Sequence, residues 1–267
     1  MAHVTVNGQD IYYVDQGQGS PIILIHGLAG DHTAWHPQME WLKGSYRIVA
    51  LDNRGAGKST QRDEPVSTEQ MARDVLALMD HLEIDQAQIV GRSMGGAIAQ
   101  HMALLAPDRV QSLALCASFA KLDPLGKRVL HNMREVLEWT GSWAAHAKHS
   151  VQNFVGPTYF NHYPERIRDL ETLIGSDTRL QACYVQQNHA CQRHDTLERL
   201  REISCPTLVM AGECDPICSL TAAQWLVDGI PGARLEVFDD CSHFFLVEQA
   251  ERFNTMLSGW LRQHCIP

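Results

Sequence analysis

No apolar run in this chain of 267 residues comes near the roughly 20 residues that a helix needs to cross a bilayer. Basic clusters are missing too, and a formal charge of −9 makes nucleic acid or an anionic membrane surface a poor match as partner. The eight cysteines include no CxxC pair, so no metal site and no disulfide framework is expected. Most of them, Cys116, Cys183 and Cys205 among them, sit in apolar surroundings as reduced thiols do. Cys214, Cys218 and Cys241 gather late in the chain without metal-ligand spacing. There is no internal repeat and no low-complexity tract. Residues 1–8 show no charged-then-apolar leader, and a cytoplasmic location is expected.

What is present is an alternation. Short β-rich runs at 4–6, 11–14, 21–25, 47–51, 88–90, 113–116, 207–211 and 234–238 are separated by helical patterns, which argues for an α/β fold with a mainly parallel sheet flanked by helices. The runs Ile22-Ile23-Leu24-Ile25 and Thr207-Leu208-Val209-Met210 are apolar throughout, as strands covered on both faces should be. A helix is expected to start at Ser67, where Ser67-Thr68-Glu69-Gln70 has capping-box spacing and Met71, Val75, Leu78, Met79 and Leu82 fall on one face. The alternation breaks between about 119 and 203, where the sequence is helical. The expected organisation is therefore an α/β core over 1–118 and 204–267, with 119–203 inserted as a helical lid over the carboxyl ends of the strands.

The segment Gly91-Arg92-Ser93-Met94-Gly95-Gly96 follows a strand and opens a helix. A serine with glycine two before and two after it fits a nucleophile elbow: side chains at 91 and 95 would collide with neighbouring backbone, and the tight turn lifts the hydroxyl clear of the sheet. A serine hydroxyl needs a base, usually a histidine held by a carboxylate. Asp215 follows the strand 207–211 and His243 follows the strand 234–238, so both are expected at the edge where Ser93 emerges. Glu213, Asp239 and Asp240 are rival carboxylates. An oxyanion hole needs two backbone donors. The amide of Met94 follows from the elbow, and that of Leu28, in His26-Gly27-Leu28-Ala29-Gly30 after the strand 21–25, is the natural second. The side chains of Leu28 and Met94 are expected to line the pocket, and His26 to brace its loop.

With these residues in order, the chain resembles the α/β-hydrolase fold superfamily over nearly its whole length. The resemblance rests on His26-Gly27, the segment 52–59, the elbow, Asp215-Pro216 and His243. It implies a serine hydrolase with Ser93 as nucleophile, His243 as base and Asp215 as orienting acid, acting on a small-molecule ester or lactone without a cofactor. The segment 52–59 lacks phosphate-loop spacing and reads as a structural turn, with no catalytic role expected for Arg54 or Lys58. Within the superfamily the chain is most similar to the 3-oxoadipate enol-lactonase and aminoacrylate-hydrolase-like group, whose small carboxylated substrates imply a cation near the lid. Arg92 and Arg128 are the candidates, each with an ion-pair role as the alternative. Trp139 and Trp143 are candidates for lining the pocket, or for packing lid helices together. Two other readings stay open: a carbon–carbon bond hydrolase of ring-cleavage products, and a hydrolase-like small-molecule receptor.

Overall fold

The computed structural model describes residues 2–265. Eight strands form one sheet: β1 (Ala2–Val6), β2 (Gln9–Gln16), β3 (Pro21–Ile25), β4 (Arg47–Leu51), β5 (Ala87–Arg92), β6 (Val110–Cys116), β7 (Thr207–Gly212) and β8 (Arg234–Phe238). Their spatial order is β1-β2-β4-β3-β5-β6-β7-β8. β2 runs antiparallel to β1 and β4, and every other pairing is parallel.

The period-two side-chain alternation divides the core into two layers. Ile23 and Ile25 of β3, with Val49 and Leu51 of β4, pack under the helices Thr68–His81 and Met94–Leu105. Ile22, Leu24, Ile48 and Ala50 face the opposite way, against the helices His36–Leu42 and Ala250–Gln263. Strands covered on both faces need apolar residues at every position, which accounts for the unbroken apolar runs. The helix Thr68–His81 begins where the capping pattern places it: the Ser67 side chain accepts a hydrogen bond from the Gln70 amide at 3.0 Å.

The chain order reverses at β3, because β4 pairs on one side of it and β5 on the other. Open α/β sheets bind ligands outside the carboxyl ends of the strands at such a switch point. The loop after β3 and the turn after β5 both end there.

Between β6 and β7 the helices Pro124–Thr140, Trp143–Ser150, Pro157–His162, Pro164–Gly175 and Gln181–Arg193 form a separate block. Its two ends are tied together at the core. Lys121 and Asp195 form an antiparallel bridge and an ion pair, and the Thr196 amide donates to the Ala120 carbonyl at 2.9 Å.

Candidate active site

Ser93 ends β5 and caps the helix Met94–Leu105 with φ 53° and ψ −119°, a left-handed conformation that strains a residue bearing a Cβ by about 1–3 kcal/mol. The neighbours over-determine this conformation. The Ser93 amide donates to the Cys116 carbonyl at 2.8 Å, and the Ser93 carbonyl accepts from Ser118 Oγ at 2.9 Å. A Cβ at Gly91 would strike the backbone of Gly95, and one at Gly95 would strike the carbonyl of Ile25. The loop after β3 comes just as close: a Cβ at Gly27 would sit 2.9 Å from the Ser93 Cβ.

Asp215 and His243 arrive from the ends of β7 and β8. His243 Nδ1 and Asp215 Oδ2 are 2.7 Å apart, and both residues are buried. Asp215 Oδ1 accepts the amides of Ile217 at 2.8 Å and Cys218 at 3.0 Å. Glu213, Asp239 and Asp240 are exposed, and Glu213 Oε2 accepts the Asp240 amide. The hydroxyl of Ser93 interacts with the buried Cys218 thiol, and no Ser93–His243 hydrogen bond forms among the described residues. Such bonds often tighten only when substrate binds. Ser93 and His243 open into a cavity of about 400 Å³ between the sheet and the helical block.

Arg92 lies on the floor of the same cavity. Its guanidinium stacks over the Phe244 ring at 4.1 Å, and Nη1 is 3.2 Å from His26 Nε2. Burial lowers Arg92 to about 10, so it stays protonated at neutral pH. His26 is pushed the other way, down to about 3, by burial and then by the charge of Arg92. A neutral His26 accepts from Arg92 and packs edge-on against Trp35.

The sequence profile of the α/β hydrolase fold family matches residues 20–250. The chain belongs to the α/β-hydrolase fold family. It is 29% identical to a protein of Azorhizobium caulinodans provisionally named a carbamate hydrolase, over 94% of both chains. It superposes with a TM-score of 0.87 on a thermophilic esterase from Thermogutta terrifontis determined with malate bound, at 28% identity over 100% of both chains. The enol-lactonase from Burkholderia xenovorans LB400 gives a TM-score of 0.88 at 27% identity, covering 98% of this chain and 100% of that one. The chain is accordingly a hydrolase, and among its described residues no helix is long and apolar enough to cross a membrane.

Not every residue singled out in the sequence reaches the cavity of this α/β hydrolase. Leu28 and Trp143 do. Arg128 and Trp139 do not: the inward face of the helix Pro124–Thr140 carries Leu130, Met133 and Leu137, and helical phase turns Arg128 and Trp139 to solvent, Trp139 with 76% exposure. The Met94 side chain, expected in the pocket, is instead fully buried in the core with Ala97, Ile98 and Met102. Arg54 forms a buried ion pair with Asp74, Nε to Oδ2 at 2.6 Å and Nη2 to Oδ1 at 2.7 Å. Phe154, an aromatic that the sequence left open between shaping a pocket and packing lid helices, lines the cavity, whereas sequence reasoning missed Arg179 in the cavity wall and Cys218 as the neighbour of the serine.

Among the described residues, two groups of three carry ligand atoms within 4.8 Å of one another: Asp215, Cys218 and His243, and Asp31, His32 and Asp52. In each, the carboxylates are satisfied without an ion. Asp215 serves His243 and two amides, and Asp52 accepts from the backbone and ring of His32 and from the Lys58 amide.

Proposed function

We propose that this protein hydrolyses a small carboxylic ester or lactone through an acyl-enzyme on Ser93. The observation that carries this reading is the buried 2.7 Å contact of His243 Nδ1 with Asp215 Oδ2, beside a serine held on a strained turn at the same cavity. With Nδ1–H donated to the carboxylate, Nε2 is left bare to act as base. Ser93 Oγ attacks the carbonyl carbon while His243 takes its proton. The tetrahedral oxyanion accepts hydrogen bonds from the amides of Leu28 and Met94. Met94 is the first residue of its helix, so its amide has no intrahelical acceptor, whereas the next amides after Leu28 are committed, Ala29 to Gln187 and Gly30 to the Gly27 carbonyl.

His243 then protonates the leaving oxygen, which departs as an alcohol or, from a lactone, stays tethered as a hydroxyl. Water attacks the acyl carbon as His243 takes its proton, and collapse of the second tetrahedral intermediate breaks the bond to Ser93 Oγ, which takes that proton back from His243 as the acid is released. The block over 119–203 serves as a lid that keeps bulk water from the acyl-enzyme. The esterase and the enol-lactonase among the structural relatives support this substrate class.

The test is Ser93→Ala assayed on p-nitrophenyl acetate and on a panel of small lactones. Turnover should fall on the order of 10⁶-fold while the circular dichroism spectrum is retained. Unchanged turnover refutes the mechanism, and turnover confined to vinylogous diketones would make the enzyme a carbon–carbon bond hydrolase.

A further inference from the structure

His146 stands on the inward face of the helix Trp143–Ser150, only 3% exposed, and lines the cavity that Ser93 opens into. Its Nδ1 lies 2.9 Å from the Met133 carbonyl. A carbonyl can only accept, so Nδ1 carries the ring proton and the neutral imidazole presents Nε2 as a bare acceptor. Burial holds the ring neutral by lowering its pKa, against an upward pull from the Met133 bond. Among the described residues Nε2 has no hydrogen-bond partner, yet it is not one of the unpartnered atoms that are shut off from any probe of the surface. The little surface it keeps opens into the cavity.

The ring is held in place edge-on to Trp143 and Tyr184, with centroids 5.6 and 4.9 Å away. Those two residues pack in turn on Leu28 and Ala29, so His146 belongs to the side of the cavity that carries the oxyanion loop. His243 has Phe154 and Phe244 as its ring neighbours. The leaving oxygen must face His243, which leaves the acyl chain to run on the side of Leu28 and His146. The wall contributed by Leu130, Met133, Leu170 and Ile174 has no side-chain donor to offer Nε2. A buried acceptor with nothing to accept is costly, and a ligand that brings the donor removes that cost. From this arrangement we infer that His146 is a specificity-determining residue whose Nε2 accepts a hydrogen bond from a neutral donor, a hydroxyl or an amide N–H, on the acyl chain of the substrate. This rests on the proposed ester or lactone hydrolysis and narrows it to acyl groups that carry such a donor. A site built around an acceptor rejects the analogue that lacks the donor, because the acceptor is then left unpaired.

The experiment compares kcat/KM within two pairs of p-nitrophenyl esters that differ only in the donor: the 6-hydroxyhexanoate against the 6-methoxyhexanoate, and the 4-acetamidobutyrate against its N-methyl amide. The wild-type enzyme should favour the donor ester of one pair about 10-fold, and which pair it is tells hydroxyl from amide. In His146→Phe, which keeps an aromatic ring against Trp143 and Tyr184, the preference should vanish, chiefly through KM of the donor ester. His146→Gln, whose amide oxygen can take the place of Nε2, should recover part of it. Each ratio is taken within one variant, so a loss of folded protein cancels. No preference in wild type for either pair, or a preference that His146→Phe leaves unchanged, overturns the assignment. A second arm does not depend on turnover: calorimetry of the corresponding ethyl esters should show the same preference in binding to Ser93→Ala, and none in the Ser93→Ala/His146→Phe double variant. If the wild type hydrolyses none of the esters but this binding preference appears, the donor site stands and the hydrolytic reading fails. An equal preference in both variants, or in neither, counts against His146.

Discussion

Asp215 divides its two oxygens between two tasks: Oδ2 meets His243 Nδ1 at 2.7 Å, and Oδ1 is fixed by the amides of Ile217 and Cys218. The second task orients the carboxylate, and the first orients the imidazole and decides which of its nitrogens holds the proton.

Asp215→Asn preserves shape but not this choice. The two amides require the asparagine oxygen to take the place of Oδ1, which turns its NH₂ toward His243. Nδ1 must then accept, and the proton moves to Nε2, where the proposed base has to be bare. Turnover of an activated ester should fall about 10⁴-fold with the melting temperature little changed. Asp239→Asn and Asp240→Asn, at exposed positions, should remain close to wild type in the same assay. The opposite ranking would reassign the acid.

The parts legible in the sequence are those that a short window determines. The apolar runs of β3 and β7 declare strands buried on both faces, and Ser67 declares a helix start. The elbow glycines encode a collision within six residues. Helical phase carries more than this: the spacing of Leu130, Met133 and Leu137 turns Arg128 and Trp139 outward, and the apolar residues after Met94 draw its side chain into the core. Arg179 is a different matter. It sits in a turn without periodicity, and its burial arises only when the turn, the helix Pro124–Thr140 and the loop after β3 close on one cavity. The contact of Cys218 with Ser93 likewise joins the loop after β7 to the turn after β5, which no local pattern connects.

Arg54 and Asp74 form a fully enclosed pair, with side chains only 3% and 2% exposed. Asp74 also accepts from Asn7 Nδ2 at 3.0 Å, tying the turn after β1 to the helix Thr68–His81. Removing one partner strands a charge in the core, so Arg54→Met should lower unfolding free energy by about 3–5 kcal/mol. Arg54→Met/Asp74→Leu should cost less than the sum of the two single changes, since the double variant buries no unpaired charge. Denaturant titration measures both. Turnover per folded molecule should be unaffected, and a large loss in that quantity would give Arg54 a role in the chemistry that its ion pair does not suggest.

The last prediction concerns acid. His194 is buried against His101 and Phe119, with Thr68 Oγ1 at 2.9 Å from Nδ1, and burial followed by the charge of His101 pushes it from 6.5 down to about 3, against a small opposing pull from Asp195. His26 is lowered to a similar value. Both bind a proton more readily unfolded than folded. Their contribution to stability is therefore complete above about pH 6.5 and is lost as the pH falls from there toward about 3, at up to about 1.4 kcal/mol per pH unit for each histidine. His194→Gln removes one of the two titrations. The variant should be less stable than wild type at pH 7.5, and the gap should narrow on acidification as the wild type alone comes under the added proton load. Melts at pH 7.5, 6, 5 and 4.5 read the difference directly, and carboxylate titrations common to both proteins cancel in it. A gap that stays constant down to pH 4.5 would mean that His194 is protonated in the fold, which its enclosure by His101, Phe119 and the two threonines Thr68 and Thr196 argues against.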